Sequence, residues 1–91
     1  MGFYLVEEYL PGISERELLL TRERLESAVA GLAGSGDSIR YLGTTFIPEQ
    51  DTSLSQFEAG SRRVVERACR RAGLRSARIS EAHALTAKEE T

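Results

Sequence analysis

The sequence predicts an α+β fold in which two helices cover one face of a four-stranded antiparallel sheet. Two kinds of segment occur along the 91 residues: extended runs of aromatic and β-branched side chains, and runs whose apolar side chains recur every three or four residues. Their order is strand, helix, strand, strand, helix, strand. This βαββαβ order is that of the ferredoxin-like sandwich, for which we expect the strand order 4-1-3-2.

The first strand and the first helix are predicted from the first third of the chain. Residues 3–10 read FYLVEEYL, which is typical of a strand, and a proline-glycine turn pair follows. Ser14 and Glu17 have the spacing of a capping box, so we predict a helix over residues 14–33. Its apolar stripe should lie on the sheet and consists of Leu18, Leu25, Ala28, Val29 and Leu32.

The rest of the chain predicts a hairpin, a helix and a last strand. Residues 38–47 and 52–58 are extended runs joined by a polar turn that begins with proline. The apolar residues recur with a helical period over residues 61–72. Gly73 follows at the position where a helix commonly ends with a residue in the left-handed conformation. Residues 76–85 form the last predicted strand.

Length and composition indicate one small domain over residues 1–86, with a polar tail over residues 87–91. The net charge of -2 does not favour nucleic acid as a partner. No apolar run approaches the roughly 20 residues that span a bilayer, so we expect no membrane partner. Cys69 is the single cysteine and no basic-then-apolar leader precedes residue 3, which together predict a cytoplasmic protein.

Strand one carries apolar side chains on both faces, and this pattern predicts a homodimer. Phe3, Leu5 and Tyr9 alternate with Tyr4, Val6 and Leu10. Because helices would cover only one face, we expect a second copy of the chain to cover the other, as in the dimeric α+β barrels. A short chain also gains from assembly, since it buries only about 60–65% of its unfolded surface alone.

A resemblance to a known family covers most of the chain. The segments that carry it are YLVEEYLPG at 4–12, RYLGTTFIPE at 40–49, FEA at 57–59 and RRAGL at 70–74. They resemble the signature segments of a small actinobacterial domain family described as nickel-binding, over about residues 3–83. The resemblance implies a ferredoxin-like sandwich that forms a homodimer and binds nickel ions, with a role in metal handling and no established enzymatic activity.

The predicted metal ligands are His83 and Glu81. Many relatives in that family carry cysteines at the positions of Ser53 and Ser55, and serine hydroxyls are poor ligands for late transition metals. His83 is the one histidine, and Glu81 shares its face in an extended strand. An imidazole beside a carboxylate suits Ni(II) or another divalent transition ion, with the remaining ligands supplied by dimer contacts or the tail. No organic cofactor is expected.

Two further hypotheses stay open. A cofactor-free enzyme of secondary metabolism, similar to the cyclases, isomerases and monooxygenases of dimeric α+β barrels, would use a pocket between two sheets. Its candidate groups are Glu7 or Glu81 as a carboxylate with a pKa raised by burial, and Tyr41 or His83 as a proton donor. The sequence leaves open whether Glu7 or Glu8 faces such a pocket. The third hypothesis is a plain dimerisation module.

The remaining conspicuous residues have ordinary structural interpretations. Cys69 falls on the apolar stripe of the second helix, where we expect a small buried hydrophobe. The opposite face of that helix is predicted to be solvated and consists of Arg62, Arg63, Glu66, Arg67, Arg70 and Arg71. Three glycines end the first helix, whereas a phosphate loop must begin one.

Overall fold

The protein folds as predicted, into one sheet with two helices. The computed structural model describes residues 1–74 and 77–88. The four strands pair antiparallel in the order β2-β3-β1-β4, which is 4-1-3-2 read from the other edge. The elements are β1 (Gly2–Tyr9), α1 (Glu15–Gly34), β2 (Ile39–Ile47), β3 (Thr52–Ala59), α2 (Arg62–Ala72) and β4 (Arg78–Ala82). The ferredoxin-like α+β fold is therefore confirmed.

Helix α1 begins at the capping box predicted from its sequence and ends at a glycine turn. The backbone N–H of Glu17 donates to Ser14 Oγ at 3.1 Å, and the N–H of Ser14 donates to the Glu17 carboxylate at 3.2 Å, which completes the capping box. At the other end, the N–H of Asp37 donates to the carbonyl of Leu32 at 3.0 Å. Gly36 has a φ of +96°, a conformation that L side chains rarely adopt, so the chain turns there into β2.

The core lies between the helices and one face of the sheet. In β1 and β3 every second residue is buried, and these residues face α1 and α2. The predicted apolar stripes of both helices supply the facing layer, except that Leu18 and Val64 are only partly buried. The buried apolar residues are Tyr4, Val6, Leu25, Ala28, Val29, Leu32, Ile39, Phe57, Ala59, Val65, Ala68, Cys69 and Ala72.

Strand β2 contains an irregularity that its sequence did not predict. Tyr41 pairs with Phe57 of β3, but Gly43 pairs with the next β3 residue, Gln56, so that Leu42 is an extra residue. This β-bulge changes the alternation of faces, and it brings Tyr41 and Thr44 to the same, helix-facing side of the sheet. Gly43 has a φ of +140°, which favours glycine at this position.

The last strand is shorter than predicted. The sequence predicts a strand over residues 76–85, whereas β4 spans Arg78–Ala82, and residue 76 lies outside the described part of the chain. Ala82 pairs with Phe3, and β1 begins at Gly2. Strand β1 therefore has only one residue, Gly2, beyond the last pair that it forms with β4. Residues 83–88 have no regular structure. None of the helices in the described ranges is long and apolar enough to cross a bilayer.

Candidate functional site

The predicted metal ligands lie at one edge of the sheet. Glu81 is in β4, opposite Tyr4 of β1, and its side chain is exposed. His83 is exposed too, but it follows the end of β4 and therefore stands outside the regular strand in which it was predicted. Among residues 1–74 and 77–88, no three histidine, cysteine, aspartate or glutamate side chains converge on a point where an ion could be held.

The two glutamates of β1 face opposite sides of the sheet, as alternation requires. Glu8 is 6% exposed, faces the helices and lies opposite Ser53 of β3. Glu7 is exposed on the other side, which we call the open face, between Leu54 of β3 and Arg78 of β4. The open question of which glutamate faces which side is thereby answered. The enzyme hypothesis needs a buried carboxylate, but a single chain leaves the Glu7 side chain exposed.

Tyr41 belongs to a polar cluster beneath the helices. Its hydroxyl is hydrogen-bonded to Thr44 Oγ1, and Thr44 Oγ1 is hydrogen-bonded to Ser55 Oγ at 2.7 Å. The ring packs on Phe57 with centroids 5.4 Å apart, and partial burial raises the pKa of Tyr41. Tyr41 and Glu7 therefore lie on opposite faces of the sheet, and a single chain does not combine them into one acid-base site.

Ser53 and Ser55 are interior residues. Ser53 and Ser55 are 3% and 2% exposed, and both face the helices from β3. Ser55 Oγ is hydrogen-bonded to Thr44 Oγ1, and Ser53 lies opposite Glu8 in the neighbouring strand. A thiol at either position would point into the interior between sheet and helices, far from the exposed edge that carries Glu81 and His83.

Cys69 is buried, as its place on the apolar stripe predicted. Its side chain is 4% exposed on α2. Burial raises the pKa of the Cys69 thiol to about 11, and the negative charges of Glu8 and Glu66 act in the same direction. The nucleophilic thiolate is therefore disfavoured in the folded protein, and Cys69 is a packing residue.

Cys69 should consequently resist thiol reagents as long as the chain is folded. At about pH 8 we expect labelling by a disulfide reagent to be at least about tenfold slower in the native protein than in urea, since both access and the thiolate are suppressed. Absorbance of the released thiolate measures the rate, with Cys69→Ser as the blank. Equally fast labelling with and without urea would contradict the burial of this thiol.

Two open clefts lie beside α1, and the sequence analysis missed both. One, of about 530 Å³, is bounded by the end of β1, the first half of α1 and the end of α2. The other, of about 510 Å³, lies between α1 and α2. Leu20 and Arg24 line both clefts. No local pattern signals these clefts, because they depend on how the two helices pack.

Comparison with known proteins supports the fold. No protein-family model matches the chain. No curated protein matches it either. The chain is similar to a solved structure, that of SCO4226 from Streptomyces coelicolor A3(2), with a TM-score of 0.70 and 18% sequence identity over 92% of this chain and 99% of that chain. At this identity the likeness shows a shared fold alone.

Proposed function

We propose that the protein is a homodimeric metal-binding protein that sequesters nickel or a similar divalent ion through Glu81 and His83. One observation carries this proposal: both side chains are exposed at the end of β4, an edge strand of the sheet. An imidazole nitrogen and a carboxylate oxygen are suitable donors for Ni(II) and Zn(II). The resemblance to a nickel-binding family points to the same ion.

A second copy of the chain would complete the metal site, and the position of Glu81 and His83 at a sheet edge allows it to approach. Two side chains fall short of the four ligands that a closed site commonly uses. An edge strand is open to another chain, so the same pair from a second copy can approach it. A two-fold axis near β4 would bring together two carboxylates and two imidazoles.

The open face of the sheet supports assembly into a dimer. Its apolar residues from β1 and β3 include Phe3, Leu5 and Leu54, all partly accessible, and Tyr9, which is 68% exposed. The described helices cover only the opposite face. Burial of these side chains against a second copy would supply the favourable apolar contact area that a dimer of short chains requires.

The metal proposal is tested by replacing His83. We expect Ni(II) to bind the wild type and to bind His83→Ala at least about tenfold more weakly, because the imidazole is the site's nitrogen donor. Since only a neutral imidazole coordinates a metal ion, acidification from about pH 7.5 to about pH 5.5 should weaken binding to the wild type. Isothermal titration calorimetry measures both effects.

A matched pair of carboxylate variants controls for charge. Glu81→Gln should weaken Ni(II) binding, whereas Glu49→Gln should not, since Glu49 is an exposed carboxylate in the turn between β2 and β3 and remote from β4. Equal affinity of the wild type and His83→Ala would remove His83 from the site. No measurable heat with any variant would reject the metal proposal and leave the pocket enzyme and the dimerisation module as the two hypotheses.

A further inference from the structure

The two edge strands of the sheet, β2 and β4, differ in how well they are protected from pairing with another chain. Strand β2 contains the bulge at Leu42, and a bulge interrupts the regular edge that another strand would need. Strand β4 pairs with β1 in an unbroken register, from Arg78 to Ala82. In the described part of the chain no strand covers its outer side. The edge of β4 is therefore the more open of the two.

Strand β4 stops pairing where β1 ends, not at a residue that breaks strands. Only Gly2 of β1 lies beyond the last pair, Ala82 with Phe3. Residues 83–85 read HAL, without proline or glycine, and the sequence predicts a strand through residue 85. These three residues are exposed. A strand along the outer side of β4 would give them the backbone partners that β1 does not provide.

The outer strand with matching chemistry is β4 of a second copy. In an antiparallel pair related by a two-fold axis, one residue lies opposite its own counterpart. When that residue is Glu81, His83 lies opposite Ile79 of the second copy. Glu81 pairs with the buried Tyr4 and therefore lies on the helix-facing side, which His83 shares in an extended strand. The axis keeps this side in common, so both carboxylates and both imidazoles line one row.

The charge of Glu81 controls whether this pairing can occur. The Cβ atoms of directly opposite residues lie about 4.5–5.5 Å apart, and like charges at such positions destabilise a strand pair. Without an ion, the two Glu81 carboxylates therefore keep the two edges apart, as charged edge residues commonly do. A divalent cation bound by these carboxylates and the neighbouring imidazoles reverses the effect, since oxygen and nitrogen donors suit Ni(II).

We infer that Ni(II) joins two chains through their β4 strands, with Glu81 of one copy opposite Glu81 of the other. The inference rests on the proposed function, since it requires that Glu81 and His83 bind the ion, and it adds that metal loading regulates assembly. The β4 contact is separate from the open face, because Glu81 lies on the helix-facing side of the sheet. It is therefore measured best in a chain that lacks the open-face contact.

Leu5→Arg is the chain in which the β4 contact is tested. Leu5 lies on the open face, so the added charge leaves Glu81 and His83 unchanged. Light scattering should show a doubling of mass when Ni(II) replaces a chelator, from the 10.0 kDa chain mass to twice that value. Mg²⁺ is the control ion and should not change the mass, because it prefers oxygen ligands and loses its waters reluctantly. The readout is the ratio of the two masses, whatever the mass in chelator.

Two carboxylate variants in this background show whether the doubling depends on Glu81. With Glu81→Gln the mass should not respond to Ni(II), whereas with Glu49→Gln it should double, since Glu49 is an exposed carboxylate remote from β4. Calorimetry on the same samples separates the two ways of failing. Heat of Ni(II) binding with an unchanged mass would overturn the inference and leave the metal proposal intact. No heat would reject both.

Amide hydrogen exchange distinguishes strand pairing from a bridge made by side chains alone. In the Ni(II)-loaded complex, exchange within residues 83–85 should slow at least about tenfold relative to chelator, because alternate N–H groups of a paired strand bond to its neighbour. Residues 87 and 88 lie further along the exposed segment and are the internal control, with equal exchange in both states. A doubled mass without slower exchange at 83–85 would refute the pairing of β4 strands.

Discussion

Phe57→Ala is expected to lower the free energy of unfolding by about 3–5 kcal/mol. Phe57 is fully buried in β3, where it lies between Tyr4 of β1 and Tyr41 of β2. Its removal loses apolar burial, leaves a cavity and ends the ring contact with Tyr41. Because small domains are stable by only about 5–15 kcal/mol, this one change should remove much of the total. Urea denaturation followed by circular dichroism measures the loss.

Leu85→Ala is the matched control for this loss of stability. Leu85 is 95% exposed and follows β4, so its truncation should change the free energy of unfolding by no more than about 0.5 kcal/mol. A cost below about 1 kcal/mol for Phe57→Ala would be inconsistent with Phe57 as the largest fully buried side chain among the described residues.

Leu5→Arg is expected to convert a homodimer into a monomer. Leu5 lies on the open face of the central strand β1, between Gln56 of β3 and Ser80 of β4. If a second copy covers this face, an arginine there must lose its water without gaining a partner, and the dimer should dissociate at least about a hundredfold more readily. Light scattering should give about twice the 10.0 kDa chain mass for the wild type and the chain mass itself for Leu5→Arg.

The same substitution at Leu85 controls for the added charge. Leu85→Arg should remain dimeric, because residue 85 lies beyond the sheet. Circular dichroism should show that Leu5→Arg keeps its fold, since position 5 faces away from the core. A monomeric wild type, or a Leu5→Arg protein that stays dimeric, would refute assembly through the open face. Because Glu81 lies opposite Tyr4, on the side of β4 away from the open face, Leu5→Arg tests assembly and not Ni(II) binding.

The elements of the fold could be read from the sequence because their signals are local. The capping box of Ser14 and Glu17 needs only residues three apart, and the apolar period of α2 needs only one helix. Both features are present in the structure. The bulge at Leu42 could not be read in this way, because an extra residue in β2 is defined only by its pairing with β3.

The candidate sites show the same division between local and tertiary information. Alternation along β1 determined that Glu7 and Glu8 face opposite sides, and composition determined that His83 is the one imidazole. The packing of the helices decided that Glu8 is the buried one. The pairing of β4 with β1 ends at Ala82 and Phe3, and so leaves His83 outside the strand.

The sequence by itself therefore determined the order of elements, the capped ends of α1 and the apolar stripes, because each depends on backbone geometry within a few residues. Only the tertiary structure decided which face of the sheet is covered and that Arg71 lies over Gly31, residues forty positions apart. Such contacts join segments distant in the chain, and their geometry follows from how side chains fill the space between elements. No periodicity within one segment contains that information.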